Sequence, residues 1–112
     1  MRIAADDVLL LAQQVVSLLR DHEAAKAREL VRTAERGALR FDHSNRLSTI
    51  EGINEALAAI RSQRIALRRA VQVLPEPERT FATREVETLL EAMFAKEDTD
   101  LRARKRKLSK PG

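Results

Sequence analysis

The 112-residue chain carries 21 Lys and Arg against 17 Asp and Glu, for a formal net charge of +4. Hydrophobic residues make up 44% of it, which is enough to build a core and excludes global disorder. With three Gly, three Pro and no Tyr or Trp, the composition favours helices over strands. The lack of Cys excludes disulfides and thiolate metal sites and is typical of a reducing compartment. We predict a single all-α domain over residues 1–112.

The stretch Val8–Leu19 is strongly apolar, as a membrane span or a signal peptide would be. This stretch is too short to span a bilayer, and Gln13 and Gln14 interrupt it. Asp6 and Asp7 stand where a signal peptide carries positive charge. We therefore expect an unexported, cytoplasmic protein without a membrane span.

The first predicted helix covers residues 6–41, where apolar residues recur every three or four positions. Its first half is apolar over a wider arc, which two neighbouring helices or a second subunit must cover. We expect a partner-binding patch in that half, formed by Leu10, Leu11, Val15 and Leu18.

A heptad pattern defines the second predicted helix, residues 46–74. One row of the heptad contains Ile50, Leu57, Arg64 and Val71, and the other contains Ile53, Ile60, Leu67 and Leu74. This spacing predicts coiled-coil-like packing against partner helices. Pro75 and Pro77 end the helix, and a third helix is predicted over residues 77–106.

A turn at residues 42–45 would join the first two helices as an antiparallel hairpin, since Asp, Ser and Asn favour turns. One uninterrupted helix through this point is the alternative, because no Pro breaks it. In the hairpin Glu23 faces Arg64, and each is the charged interruption of its own apolar stripe. We predict a structural ion pair between them. The hairpin and the third helix together predict an elongated antiparallel three-helix bundle, with a homodimer as its expected assembly.

Basic residues concentrate on the second helix and in a basic tail, residues 102–112. The predicted basic surface comprises Arg61, Arg68, Arg69, Arg102, Arg104, Lys105, Arg106 and Lys107. Residues 56–75 hold no acid, whereas the third helix supplies Glu85, Glu87 and Glu91, so pairing between these helices is one interpretation. Sequence-independent binding of nucleic acid or another acidic partner is the other. The shortage of aromatic residues for base stacking argues against nucleic acid.

Catalytic and metal-binding patterns are lacking in the sequence. His22 and His43 are the only histidines, and they provide neither a pair of Glu-x-x-His motifs nor a His-x-x-x-His motif. None of the three glycines lies near another, so no Gly-rich phosphate loop exists. We expect no metal, no cofactor, no small-molecule substrate and no enzymatic activity.

Two resemblances bear on function. The run from His43 to Gly52 resembles the phospho-acceptor box of histidine-kinase dimerisation helices, but the family spacing after the histidine is about two residues longer, more than half a helical turn. In length, charge and long-helix layout the chain is similar to small helical export chaperones of bacterial flagellar and type III secretion systems. We predict a non-enzymatic interaction or assembly module, adaptor-like or chaperone-like, that dimerises or grips a partner helix. Binding of nucleic acid or another acidic partner through the basic surface is the alternative.

Overall fold

A computed structural model of the chain describes residues 2–3, 8–37, 40–41 and 48–110. The helices in this part are α1 (Leu9–Arg20), α2 (Ala24–Glu35), α3 (Ile50–Gln72), α4 (Glu78–Ala82) and α5 (Thr88–Ser109). A π-helical turn, Thr83–Glu87, joins α4 to α5, so that residues 78–109 form one continuous C-terminal rod. A short parallel backbone pairing links β1 (Arg2–Ile3) to β2 (Arg40–Phe41). The predicted all-α helical bundle is confirmed.

The prediction of one helix over residues 6–41 is wrong, because the chain reverses between α1 and α2. His22 has a φ of 58°, in the left-handed region. The backbone N–H of Glu23 donates to the carbonyl of Leu18, and that of His22 donates to Leu19. These two bonds form a Schellman motif, which ends α1 and folds α2 back along it.

The α2 helix ends at Glu35, two residues before Gly37. Gly37 has a φ of 77°, and its N–H donates to the carbonyl of Ala34. Because Arg40–Phe41 is a strand, an uninterrupted helix into α3 is excluded. The predicted turn at residues 42–45, and with it His43, lies outside the described residues.

Both α3 and the C-terminal rod begin near their predicted positions, and each has a polar cap. The Thr49 hydroxyl accepts a hydrogen bond from the Gly52 N–H at the start of α3. The Glu76 carboxylate accepts hydrogen bonds from the hydroxyl and the N–H of Thr80, each 2.9 Å long. The hydrogen bond from the hydroxyl, and to a lesser degree the one from the N–H, hold the pKa of Glu76 below its ordinary value.

The helices form a ring in which α1 and the C-terminal rod each contact both α2 and α3. Side-chain contacts give their directions: Nδ1 of His22 lies 3.2 Å from a carboxylate oxygen of Glu78, and further along both helices Arg28 and Arg32 pair with Glu85 at 3.6 and 3.5 Å. The α2 helix therefore runs parallel to the rod. Because the rod returns antiparallel along α3, α1 and α3 are parallel, so the predicted antiparallel pairing of α1 with α3 is wrong.

The core lies inside this ring. Its largest fully buried side chains are Leu11, Val15 and Leu19 from α1, Val31 from α2, Ile53, Ile60, Leu67 and Val71 from α3, and Val86, Leu90 and Phe94 from the rod. In α3 the second heptad row, which begins at Ile53, is buried throughout. The first row is buried only at Val71, and Ile50 is 36% exposed. The bundle thus covers one heptad row of α3 and leaves most of the other at its edge.

The π-helical turn keeps the buried face of the rod aligned. Ala82, Val86, Leu90 and Phe94 are all buried and follow one another at intervals of four residues. On an α-helix each such step overshoots a full turn by about 40°, so three steps accumulate about 120°. A π-helical turn adds one residue to the helix without advancing it, which removes about 100° of that rotation. A strictly four-residue spacing can therefore still face one core.

The reversal at His22 is testable by substitution. A left-handed conformation costs a residue other than Gly roughly 1–2 kcal/mol, and more for a β-branched side chain. We expect His22→Gly to raise the free energy of unfolding by about 0.5–1 kcal/mol and His22→Val to lower it by about 1 kcal/mol. Both variants lose the exposed contact with Glu78, so urea denaturation of the pair isolates the backbone effect. Equal stability of the two variants would contradict the left-handed assignment.

Candidate functional site

Arg64 of α3 faces α5 rather than α1. Its Nε and a terminal guanidinium nitrogen lie 2.9 and 2.7 Å from Oε2 of Glu91. Glu23 instead pairs with Lys26 at 3.0 Å. The predicted Glu23–Arg64 ion pair is therefore wrong: with α1 parallel to α3, the turn that holds Glu23 lies near the C-terminal end of α3. The broader expectation that α3 arginines pair with acids of the third predicted helix is confirmed for Arg64, which pairs with Glu91.

A groove of about 320 Å³ opens between α3 and α5. Its lining residues are Leu57, Ile60, Arg61, Arg64, Ile65 and Arg68 of α3 and Asp98 and Arg102 of α5. We call it the arginine groove. Its four guanidinium groups outnumber the carboxylates beside them, which are Asp98 and the Arg64 partner Glu91, so positive charge is in excess here.

Two of the four arginines are held by carboxylates, and two are not. Arg64 is held as described above, and Nε of Arg102 donates to Oδ1 of Asp98 at 2.6 Å. The held guanidinium groups keep further N–H donors free and lose less side-chain entropy on binding a ligand. Arg61 and Arg68 are exposed and form no ion pair with any described residue.

The other predicted basic residues continue this surface. Arg69 is exposed on α3, and the tail residues Arg104, Arg106 and Lys107 are exposed on α5, with Lys105 half-buried. Arg106 follows Arg102 by four residues, so both lie on one face of α5. The positive surface thus runs from the groove toward the C-terminal end of the rod.

The predicted partner-binding patch on α1 is only partly exposed. Leu11 and Val15 are 1% and 0% exposed, because α2 and α3 cover both apolar strips of α1. For these two residues the prediction of a contact surface is wrong. Leu10 and Leu18 remain half-buried, and Leu18 joins Leu30 in a shallow depression between α1 and α2.

Two groove residues, Ile65 and Asp98, are not among the site residues predicted from the sequence. Ile65 is 48% exposed and belongs to neither heptad row, so periodicity alone does not select it. Asp98 precedes Arg102 by four residues, a spacing typical of ion pairs along a helix, and this signal was available.

Other features of the described residues supply no second chemistry. No group of three or more His, Cys, Asp or Glu side chains among them is placed to hold a metal ion. None of the helices there has both the length and the apolar content needed to cross a bilayer. Comparison with protein-family models, curated proteins and solved structures found no match in any of the three. The groove itself is therefore the basis for a functional proposal.

The position of Arg64 predicts which carboxylate it is coupled to. Both partners are partly exposed, at 40% for Arg64 and 25% for Glu91, so we expect a coupling free energy of about 0.5–1 kcal/mol. The measurement is a double-mutant cycle with Arg64→Ala and Glu91→Ala, each stability being determined by urea unfolding. A matched cycle with Arg64→Ala and Glu23→Ala is expected to give a coupling near zero. Stronger coupling to Glu23 would refute the helix directions described above.

Proposed function

We propose that this chain is a non-enzymatic interaction module that binds a negatively charged partner in the arginine groove. The supporting observation is the placement of two unpaired guanidinium groups, Arg61 and Arg68, beside the held Arg64 and Arg102. Guanidinium groups donate hydrogen bonds in a planar fork that matches carboxylate and phosphate. A cytoplasmic setting belongs to the same proposal, since the chain has no Cys.

We prefer the groove to α1 as the partner-binding surface because α1 exposes little apolar surface, whereas apolar and charged side chains line the groove. The interaction or chaperone-like module predicted from sequence depends on excess apolar surface on α1. Burial of Leu11 and Val15 reduces that surface to the edges of two side chains, Leu10 and Leu18. The groove combines apolar lining with concentrated charge, so it offers a partner both burial and orientation.

Neutralising the unpaired arginines tests the proposal. A labelled poly-glutamate peptide serves as the probe, and its affinity is measured by fluorescence anisotropy. Each exposed charge pair contributes about 0.5–1 kcal/mol, so Arg61→Gln with Arg68→Gln is expected to weaken binding roughly 5- to 30-fold. The matched control is Arg36→Gln with Arg84→Gln, which removes the same charge at two exposed positions outside the groove.

Salt dependence provides the second readout of that experiment. The affinity of the wild-type chain is expected to decrease as the salt concentration rises from about 50 to 200 mM, because salt screens the attraction between opposite charges. Equal weakening by the groove variant and the control variant would show that net charge, not the groove, binds the probe. Binding that ignores both the groove substitutions and salt would overturn the proposal.

Self-association is the second candidate function, supported by the depression between α1 and α2. Leu18, Ala25, Leu30 and Thr33 line it, with Lys26 and Glu29 beside them. In a two-fold dimer the same patch meets itself, so the apolar side chains of this depression would be covered by their counterparts in the other protomer. This candidate retains the homodimer expected from the sequence, but moves its contact from the buried strip of α1 to the outer edge.

The dimer candidate predicts an effect of Leu18→Gln on self-association. Leu18 is already partly buried, so each copy adds only part of the roughly 1.5–3 kcal/mol of a whole leucine, but a two-fold dimer loses two copies and its dissociation constant is expected to rise about tenfold. Sedimentation velocity over a range of concentrations measures this constant. Leu108→Gln, at an exposed leucine near the end of α5, is the control. A wild-type chain that stays monomeric at every concentration would eliminate the candidate.

A further inference from the structure

The arginine groove is lined by apolar as well as charged side chains. Leu57 is half-buried and Ile65 is 48% exposed, and both line the groove. Leu57 belongs to the heptad row of α3 that the bundle leaves at its edge, together with the exposed Ile50. A heptad row of this kind packs against a helix in coiled coils, and at Ile50 and Leu57 the described helices leave it partly uncovered.

The arginines that α3 contributes to the groove follow one another at helical spacing. Arg61, Arg64 and Arg68 follow one another at intervals of three and four residues, so they form a stripe of about 10 Å along one side of α3. Arg102 stands on the opposite wall, on α5. A helix lying along the groove would meet guanidinium groups from both α3 and α5, with Leu57 in line with the arginines of α3 and Ile65 beside them.

Nucleic acid fits these features less well. Proteins that bind single strands stack bases on exposed aromatic side chains. Among the described side chains, Phe94 is fully buried in the core and Phe81 is half-buried and packed against it. Phosphate binding also makes no use of the exposed Ile65 beside the arginines.

We infer that the partner in the arginine groove is an amphipathic helix of another protein, with an apolar stripe flanked by Glu or Asp. Its apolar residues pack on Leu57 and Ile65, and its carboxylates accept hydrogen bonds from the four arginines. This is helix-in-groove recognition combined with charge complementarity. The inference deepens the proposed function and rests on it.

The test separates apolar from charged recognition with a peptide pair. One designed peptide carries a leucine stripe flanked by glutamates, and the other carries glutamines in place of the leucines at the same net charge. Ile65→Gln is expected to weaken binding of the leucine peptide about fivefold, since about half of an isoleucine remains to be buried. Binding of the glutamine peptide is expected to stay unchanged. Val73→Gln, at a valine that is 75% exposed outside the groove, is the control and is expected to change neither affinity.

The outcomes distinguish this inference from the proposed function. If the double substitution of Arg61 and Arg68 weakens both peptides but Ile65→Gln weakens neither, the groove binds charge alone and the helix assignment fails. If an oligothymidine probe binds more tightly than the leucine peptide and depends on the same arginines, the partner is nucleic acid and the inference is overturned. If the arginine substitutions affect no probe, the proposed function itself fails.

Discussion

The fold depends on covering the wide apolar arc of α1. Two adjacent strips of this helix are buried, so no single neighbour can shield it. A reversal centred on His22 brings α2 against one side, and α3 covers the other. Each fully buried Leu or Val contributes about 1.5–3 kcal/mol, which outweighs roughly 1–2 kcal/mol for one left-handed residue. Closure of the ring by the C-terminal rod then sets every helix direction, including the parallel course of α1 and α3.

Composition and periodicity were sufficient to predict the all-α class, the extent of α3 and the start of the rod after Pro77. They could not locate the break between α1 and α2, because no Gly or Pro marks it and the apolar spacing continues across it. His22 becomes left-handed because tertiary burial overrides its local preference. The matching positions of Glu23 and Arg64 were a coincidence within a hairpin that does not form.

The candidate site was predictable in part. The sequence predicts that Arg61, Arg68 and Arg69 are exposed, because none of them belongs to the buried heptad row of α3. The groove itself does not follow from a single helix, because it requires the register between α3 and α5 that the Arg64–Glu91 pair reveals. That register places Leu57 and Ile65 of α3 and Arg102 of α5 in one groove, so apolar and cationic side chains line the same place. The same pair and the Asp98–Arg102 pair hold two of the guanidinium groups of the groove in place.

The π-helical turn at Thr83–Glu87 means that the C-terminal rod contains one residue more than its core-facing pattern requires. Loss of a single residue within that turn would restore ordinary helical winding and leave Leu90, Phe94 and Leu101 pointing inward. The same loss in α5 would swing everything beyond it by about 100°, and carry Arg102 away from the groove. The rod therefore has one stretch that tolerates a change of length, and it lies at the boundary between the segment that packs on α2 and the segment that forms the groove.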